Sequence, residues 1–189
     1  MIVHLMTSAE KIKDNITDLR RMVRVIHGQG HALAIDWIEP AYTRAVNGIQ
    51  VAPADWQGIY KENMTAIAKS DVLIAETTLP SFGTGYQIAI SMRSRKPTLI
   101  LRRDNVENDM AVGIDEEYIK FQTYNEQTLE KIMVAFLEEN DIATKDLRFN
   151  FSIDRKIYNY LRWTSFKTGD TKAEVVRKLI EREIDGNGL

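Results

Sequence analysis

The stretch from Ser70 to Leu101, SDVLIAETTLPSFGTGYQIAISMRSRKPTLIL, constrains this chain more than any other. Val72 to Ala75 is a short, continuously apolar run between polar residues, the pattern of a strand buried on both faces of a parallel sheet. A loop with Pro80, Ser81, Gly83 and Gly85 follows, then a helical segment from about Tyr86 to Arg93. Lys96-Pro97 ends that helix, and Thr98 to Leu101 reads as a second buried strand. Together these make one βαβ unit with a glycine-bearing loop at the carboxyl end of its first strand. Small ligands bind at that edge of open α/β sheets, so this loop is expected to touch any small molecule the chain recognises.

The rest of the first 140 or so residues repeats the alternation. Ile2 to Met6 reads as a strand. Ile12, Ile16, Leu19, Met22, Val23 and Ile26 recur at helical spacing up to Gly28-Gln29-Gly30. Ala32 to Ile35 reads as a second strand and Asp36-Trp37-Ile38-Glu39-Pro40 as a loop; Ala41 to Pro53 has no clear periodicity. Asp55 to Lys69 is helical in pattern, with Ile59, Met64, Ile67 and Ala68 inward. Arg102 to Gly113 is polar and loop-like, Ile119 to Gln122 a short last strand, and Asn125 to Glu139 a capped amphipathic helix. Strands alternating with helices predict an α/β fold with a doubly wound parallel sheet of four to five strands, flavodoxin- or Rossmann-like.

The pattern changes after Glu138-Glu139-Asn140-Asp141. Phe149, Phe151 and Ile153 alternate with Arg148, Asn150 and Ser152, as in a half-buried strand. Asp154 can cap a helix carrying Ile157, Tyr158, Leu161 and Trp163, and Lys167-Thr168-Gly169-Asp170 turns the chain. Thr171 and Glu174 form a capping box for a last helix with Val175, Val176, Leu179, Ile180 and Ile184 inward. One strand and two helices of this size cannot bury their own apolar faces, so they are expected to pack on the first domain or on another chain.

Composition narrows the chemistry. With no cysteine there is no disulfide, thiolate zinc site or cysteine nucleophile, and three scattered histidines do not suggest a metal site. No apolar run approaches the roughly 20 residues that span a bilayer, and Met1 to Met6 lacks the form of a signal peptide. The expectation is a cytoplasmic protein with no metal, no cofactor and no membrane partner. Net charge is −2, yet Asp146 to Leu189 holds nine Lys or Arg against seven Asp or Glu, a mildly basic tail.

Asp71, Ala75, Glu76, Thr78, Pro80, Ser81, Gly83, Gly85 and Tyr86 stand in the register of the nucleoside 2-deoxyribosyltransferase signature, and the stretch resembles that family, in particular its nucleotide N-glycosidases. The resemblance implies a nucleoside- or nucleotide-like ligand held by Ser8, Asn63, Ser81, Gly83, Gly85, Tyr86 and Gln87. Two departures bear on chemistry. Gln87 stands where the family places its nucleophilic glutamate, and Asn63 falls at the position of its second acid. A carboxylate can attack an anomeric carbon and stabilise an oxocarbenium-like transition state, whereas an amide of the same shape does neither usefully. The phosphate loop departs as well. The family's Tyr-x-x-Gly-Ser-x-Arg reads here from His4 to Glu10, with only Ser8 kept and Glu10 where an arginine would meet phosphate. His4, at the tyrosine position, reads as a packed histidine, and Trp37 and Trp56 as packing residues ahead of base-stacking ones.

The tail resembles a ribbon-helix-helix DNA-binding domain from about Leu147 to Ile184. The resemblance implies a strand paired between two chains, with Arg148, Asn150 and Ser152 toward the major groove and Thr171 and Lys172 against phosphate.

The sequence thus reads as two domains, residues 1–142 deoxyribosyltransferase-like and 146–189 ribbon-helix-helix-like. The implied function is a catalytically impaired, ligand-responsive regulator, a homodimer or higher even oligomer that touches double-stranded DNA. The alternative is an active N-glycosidase or 2-deoxyribosyltransferase using a displaced carboxylate, Glu76 or Asp36, with the tail only fixing the dimer.

Overall fold

A computed structural model of the chain describes residues 1–104, 113–141 and 150–187. The chain divides into two compact units, Met1–Ile142 and Ala143–Leu189.

The first unit is built on five parallel strands: β1 (Ile2–Met6), β2 (Ala32–Leu33), β3 (Val72–Glu76), β4 (Thr98–Arg103) and β5 (Ile119–Tyr124), ordered β2-β1-β3-β4-β5. Register is continuous across the centre, with Leu5 opposite Ile74, Ala75 opposite Ile100, and Ile100 opposite Phe121. All five residues of β3 are buried, as a strand covered on both faces must be.

Helices α1 (Ile12–Gly28), α2 (Ile38–Val46) and α5 (Leu129–Asn140) cover one face, packing Leu19, Met22, Ile38, Met133 and Leu137 against Val3, Leu5, Ile74 and Leu99. Helices α3 (Trp56–Lys69) and α4 (Phe82–Arg93) cover the other, with Met64, Ile67 and Ile88 against Met6, Leu73, Ala75 and Ile100. Alternation along β1 sends Leu5 to the first face and His4 and Met6 to the second. Strand order reverses direction between β1 and β3, so a crevice opens at the carboxyl ends of those two strands. The doubly wound sheet expected from the sequence is the fold observed.

Several boundaries move. Helix α4 begins at Phe82, so Gly83 and Gly85 lie in its first turns and not in the preceding loop. The stretch read as a loop at Asp36–Pro40 enters α2 at Ile38, because proline is tolerated within a first helical turn, where its missing N–H has no partner to lose. β2 is cut to two residues, and β4 and β5 each run two residues further than expected. At β5 this extension brings in Tyr124, which is 2 % exposed.

The second unit contains α6 (Arg155–Thr168) and α7 (Lys172–Asn187). Asp154 Oδ1 accepts from the Ile157 N–H at 2.8 Å, the expected N-cap. Gly169 closes α6 at φ +78°, a left-handed position that favours glycine. Thr171 and Glu174 make both bonds of the capping box, at 2.7 and 3.2 Å. Leu161 and Val175 are buried, but Leu179, Ile180 and Ile184, expected to face inward, are exposed along with Ile157, Trp163 and Phe166. Of the expected strand, Leu147 to Phe149 lie outside the described residues, and Asn150 to Ile153 belong to neither helix nor strand.

Candidate ligand site

Of the expected ligand residues, Ser8 follows β1, Ser81 to Gln87 follow β3, and Asn63 lies on α3. β1 delivers Thr7 and Ser8, both buried, and β3 ends on Glu76. The chain then passes through Thr77 to Pro80 into α4, whose N-cap, Ser81, has an extended backbone and makes no side-chain cap bond. The first turn of α4 therefore presents its backbone N–H groups at the carboxyl edge of the sheet, where the helix dipole favours negative charge. Gly83 and Gly85 have ordinary helical φ; a Cβ at Gly83 would meet only Ser81 Oγ at 3.7 Å, and one at Gly85 nothing within 4 Å. Neither glycine is demanded by conformation or by packing inside this unit. Their effect is to leave the backbone of the turn bare.

Gln87 sits one residue beyond Tyr86 on α4, half-buried, with Oε1 2.9 Å from Nε2 of His4. His4 is 0 % exposed on β1, and its Nδ1 is buried without a hydrogen-bond partner among the described residues. Burial holds the imidazole below its usual pKa, outweighing the bond to Gln87, which acts the other way. His4 is therefore neither a free catalyst nor fully satisfied: one ring nitrogen braces Gln87 and the other has no donor or acceptor to meet. Asn63 occupies a half-buried position on α3 and donates Nδ2–H to the Ile59 carbonyl at 2.8 Å, within its own helix. At both positions where the resemblance implies a working acid, the chain carries an amide, bonded to His4 at Gln87 and to the Ile59 carbonyl at Asn63.

Aromatic residues border this region. Tyr60 and Tyr86 approach with ring centroids 6.2 Å apart and hydroxyls 3.3 Å apart, and Phe82 stacks beside Tyr86 at 6.3 Å. Phe82 is 89 % exposed and Trp56 is 52 % exposed. Trp37 instead packs, donating Nε1–H to the Leu5 carbonyl at 2.9 Å. Glu10, at the expected arginine position, is exposed, as is Lys11.

The spare carboxylates part company. Asp71 braces the sheet by accepting the Ile2 N–H at 2.7 Å. Asp36 is exposed after β2. Glu76 is 0 % exposed and surrounded by donors: Asn15 at 2.5 Å, Thr7 at 3.2 Å, the Thr78 N–H at 3.1 Å, the Thr78 hydroxyl, and Tyr124 at 3.1 Å. The Tyr124 hydroxyl also lies 3.0 Å from Asp18 Oδ2, which pairs with Arg103 Nη2 at 2.7 Å. One hydroxyl proton cannot serve two carboxylates. Asp18 is also matched by the Arg103 cation, so it depends less on that hydroxyl than Glu76 does. Burial does push the Glu76 carboxyl above its usual range, against the downward pull of its hydrogen bonds. Such a group is unfit as a nucleophile: it is inaccessible and its lone pairs are engaged. Sequence reading missed this network because its members, Thr7, Asn15, Asp18, Thr78, Arg103 and Tyr124, come from five segments with no shared motif.

Beside it, Arg103, Asp104, Tyr124, Asn125, Glu126 and Gln127 line a shallow cavity of about 190 Å³ at the ends of β4 and β5. Among the expected DNA-binding residues, Asn150, Ser152, Thr171 and Lys172 are exposed. Thr171 is committed to its capping box, and Lys172 Nζ lies 4.7 Å from the Tyr158 ring centre. Arg148 lies outside the described residues.

Comparison with known proteins narrows the reading. No protein-family model matches the chain. It is 32 % identical over 83 residues to a protein of Methanosarcina mazei named as a 2′-deoxynucleoside 5′-phosphate N-hydrolase, covering 43 % of this chain and 52 % of the relative. It is 29 % identical over 84 residues to the 5-hydroxymethyl-dUMP N-hydrolase of Esox lucius, covering 42 % of this chain and 58 % of the relative. The chain spans about half the length of these curated relatives. The CMP N-glycosidase of Clostridium botulinum shares the fold, with a TM-score of 0.50 over 71 % of this chain and 99 % of that one, at 15 % identity. The sequence similarity to these N-hydrolases covers less than half of this chain, and the N-glycosidase shares its fold.

Proposed function

We propose that the first unit binds a nucleoside- or nucleotide-like molecule at the β1–β3 crevice without efficient cleavage of its glycosidic bond. The observation that carries this reading is the pair Gln87 and His4, 2.9 Å apart, where the resemblance implies an attacking carboxylate. Ser8, Ser81, Gly83, Gly85 and Tyr86 frame the ligand, Gln87 and Asn63 contact it through amide groups, and the bare first turn of α4 is open to its polar end. The second unit dimerises the chain and, through Asn150, Ser152, Lys172 and Arg148, touches double-stranded DNA. Support for dimerisation comes from the apolar side chains that α6 and α7 leave in solvent, Trp163 at 59 %, Phe166 at 91 % and Ile180 at 54 % exposed. The whole then acts as a ligand-responsive regulator.

The test is incubation with a panel of nucleosides and deoxynucleotides, reading ligand binding by thermal shift and free base by chromatography. Binding without base release is expected. Release of base at a rate that Asp36→Asn abolishes would overturn the non-enzymatic reading. For the tail, sedimentation is expected to give a dimer and a low-salt gel shift to retard duplex DNA. A monomer, or retardation unchanged by Arg148→Ala, would remove those parts.

A further inference from the structure

Helix α6 contains Arg155, Lys156, Arg162 and Lys167 and no acidic residue, whereas α7 carries as many acids as bases. None of these four cations makes an ion pair among the described residues. Lys167 Nζ instead lies 5.0 Å from the centre of the Trp163 ring. At about 100° per residue the four cations share one half of the helix with Tyr160, Trp163 and Phe166, opposite Leu161, the residue that α6 buries. The three rings are 48 %, 59 % and 91 % exposed in that order. They recur at every third residue, so each stands about 4.5 Å further along the axis than the one before.

Cations set between rings suit few partners. A seam between two protein chains depletes charge at its core, and unpaired cations there would lose their hydration without return. A helix that lies on a membrane separates an apolar face from a charged one. Here the two kinds share a face: around the axis Lys156 and Lys167 fall between Trp163 and Tyr160, and Arg155 falls beside Phe166. A nucleic-acid strand offers both complements together, a phosphate and a planar base at every nucleotide. Bases within a duplex stack on each other and show only their edges in the grooves, so rings on a helix face need an unpaired strand.

We propose that the outer face of α6 binds single-stranded nucleic acid, with Tyr160, Trp163 and Phe166 stacking on bases and the four cations set against phosphates. This contact goes beyond the duplex reading of Arg148, Asn150, Ser152 and Lys172, and depends neither on that reading nor on the ligand reading of the first unit. It does compete with dimerisation for Trp163 and Phe166, and leaves Leu179, Ile180 and Ile184 of α7 exposed for a second copy.

The test is fluorescence anisotropy of a labelled oligothymidylate titrated with the full chain. Binding at low salt is expected, its logarithm falling against log salt with a slope of about −3, as four phosphate contacts on a single strand give. Trp163→Ala and Phe166→Ala should each weaken it at least about fivefold, the worth of one stacked base, and leave the gel shift of duplex DNA unchanged. Arg162→Gln with Lys167→Gln should cut the salt slope by about half. All four side chains are exposed or half-buried, circular dichroism checks that α6 is kept, and the glutamine pair still reads the proposal should a ring variant unfold. No binding of the single strand by the wild type, or binding unchanged in both ring variants, overturns the proposal. Duplex binding lost together with the single strand overturns the stacking. Sedimentation of the chain with phosphatidylserine vesicles but no strand binding assigns the face to a membrane and overturns it. A dimer that falls to monomer in Phe166→Ala gives the ring to a second copy, with the same result.

Discussion

Two polar clusters join the sheet of the first unit, one at the end of β3 and one between β1 and α4, and they are built to opposite ends. Around Glu76 every lone pair is engaged by Thr7, Asn15, Thr78 or Tyr124, and the group is sealed from solvent. At Gln87 one side of the amide is tied to His4 and the other has no hydrogen-bond partner among the described residues. The first arrangement satisfies its groups fully, which is what a buried polar network needs to support a fold. The second holds a half-buried side chain in a fixed direction and leaves capacity for a partner, which is what a binding site needs. A carboxylate is thus buried in the scaffold, while a half-buried amide stands on α4.

The largest expected effect breaks the Glu76 cluster. Glu76→Ala strands several buried donors at once and should cost about 3 kcal/mol or more in chemical denaturation, since each unmatched buried group costs about 1–3 kcal/mol. Glu76→Gln keeps the shape and one accepting oxygen but sets an NH2 group among donors, so it should cost about 1–3 kcal/mol, less than Glu76→Ala. A Gln variant as damaged as the Ala variant would mean that the carboxylate charge itself is needed there.

Next comes the pH dependence of stability. The Glu76 carboxyl is raised in the folded state, so its contribution is fully present below the ordinary carboxyl range and declines as pH rises from there toward the raised value. The His4 imidazole is lowered, so its contribution is present above the ordinary histidine range and is lost as pH falls below it. Denaturation midpoints measured across pH should show both limbs. Glu76→Gln should flatten the first and leave the second.

The comparison sharpens further at the crevice. Gln87→Glu alone should leave base release near background, because the proton donor is still missing at Asn63. Asn63→Asp with Gln87→Glu should raise it by at least about a hundredfold, the contribution of positioned acid–base groups, read as free base from deoxynucleotides. The smallest effect lies in the second unit, far in sequence from either cluster. Asp154→Ala removes the α6 cap and should cost about 1 kcal/mol, seen in thermal denaturation.

Most of the scaffold was legible from local pattern. Strands β1, β3 and β4, the helices α1, α3 and α5, the caps at Asp154 and Thr171, and the turn at Gly169 all follow from hydrophobic period and capping chemistry, which act over a few residues. The signature from Asp71 to Tyr86 also placed the crevice, because strand, turn and helix there are contiguous. The start of α4 was misplaced for a local reason. Glycines at 83 and 85 argue for a loop by propensity, yet the helix is retained by packing of Ile88, Ile90 and Met92 on the sheet.

What the chain alone determined, then, is the alternation that makes a doubly wound sheet and the identity of the two amides where acids are expected. What only the tertiary structure decided is which carboxylate is buried and which neighbour holds Gln87. Those depend on His4 meeting Gln87 across 83 positions, and Tyr124 meeting Asp18 and Glu76 across 106 and 48. Periodicity has no reach at such separations. Only the closing of the sheet brings these groups within hydrogen-bonding distance, and only there do burial and proton count assign their roles.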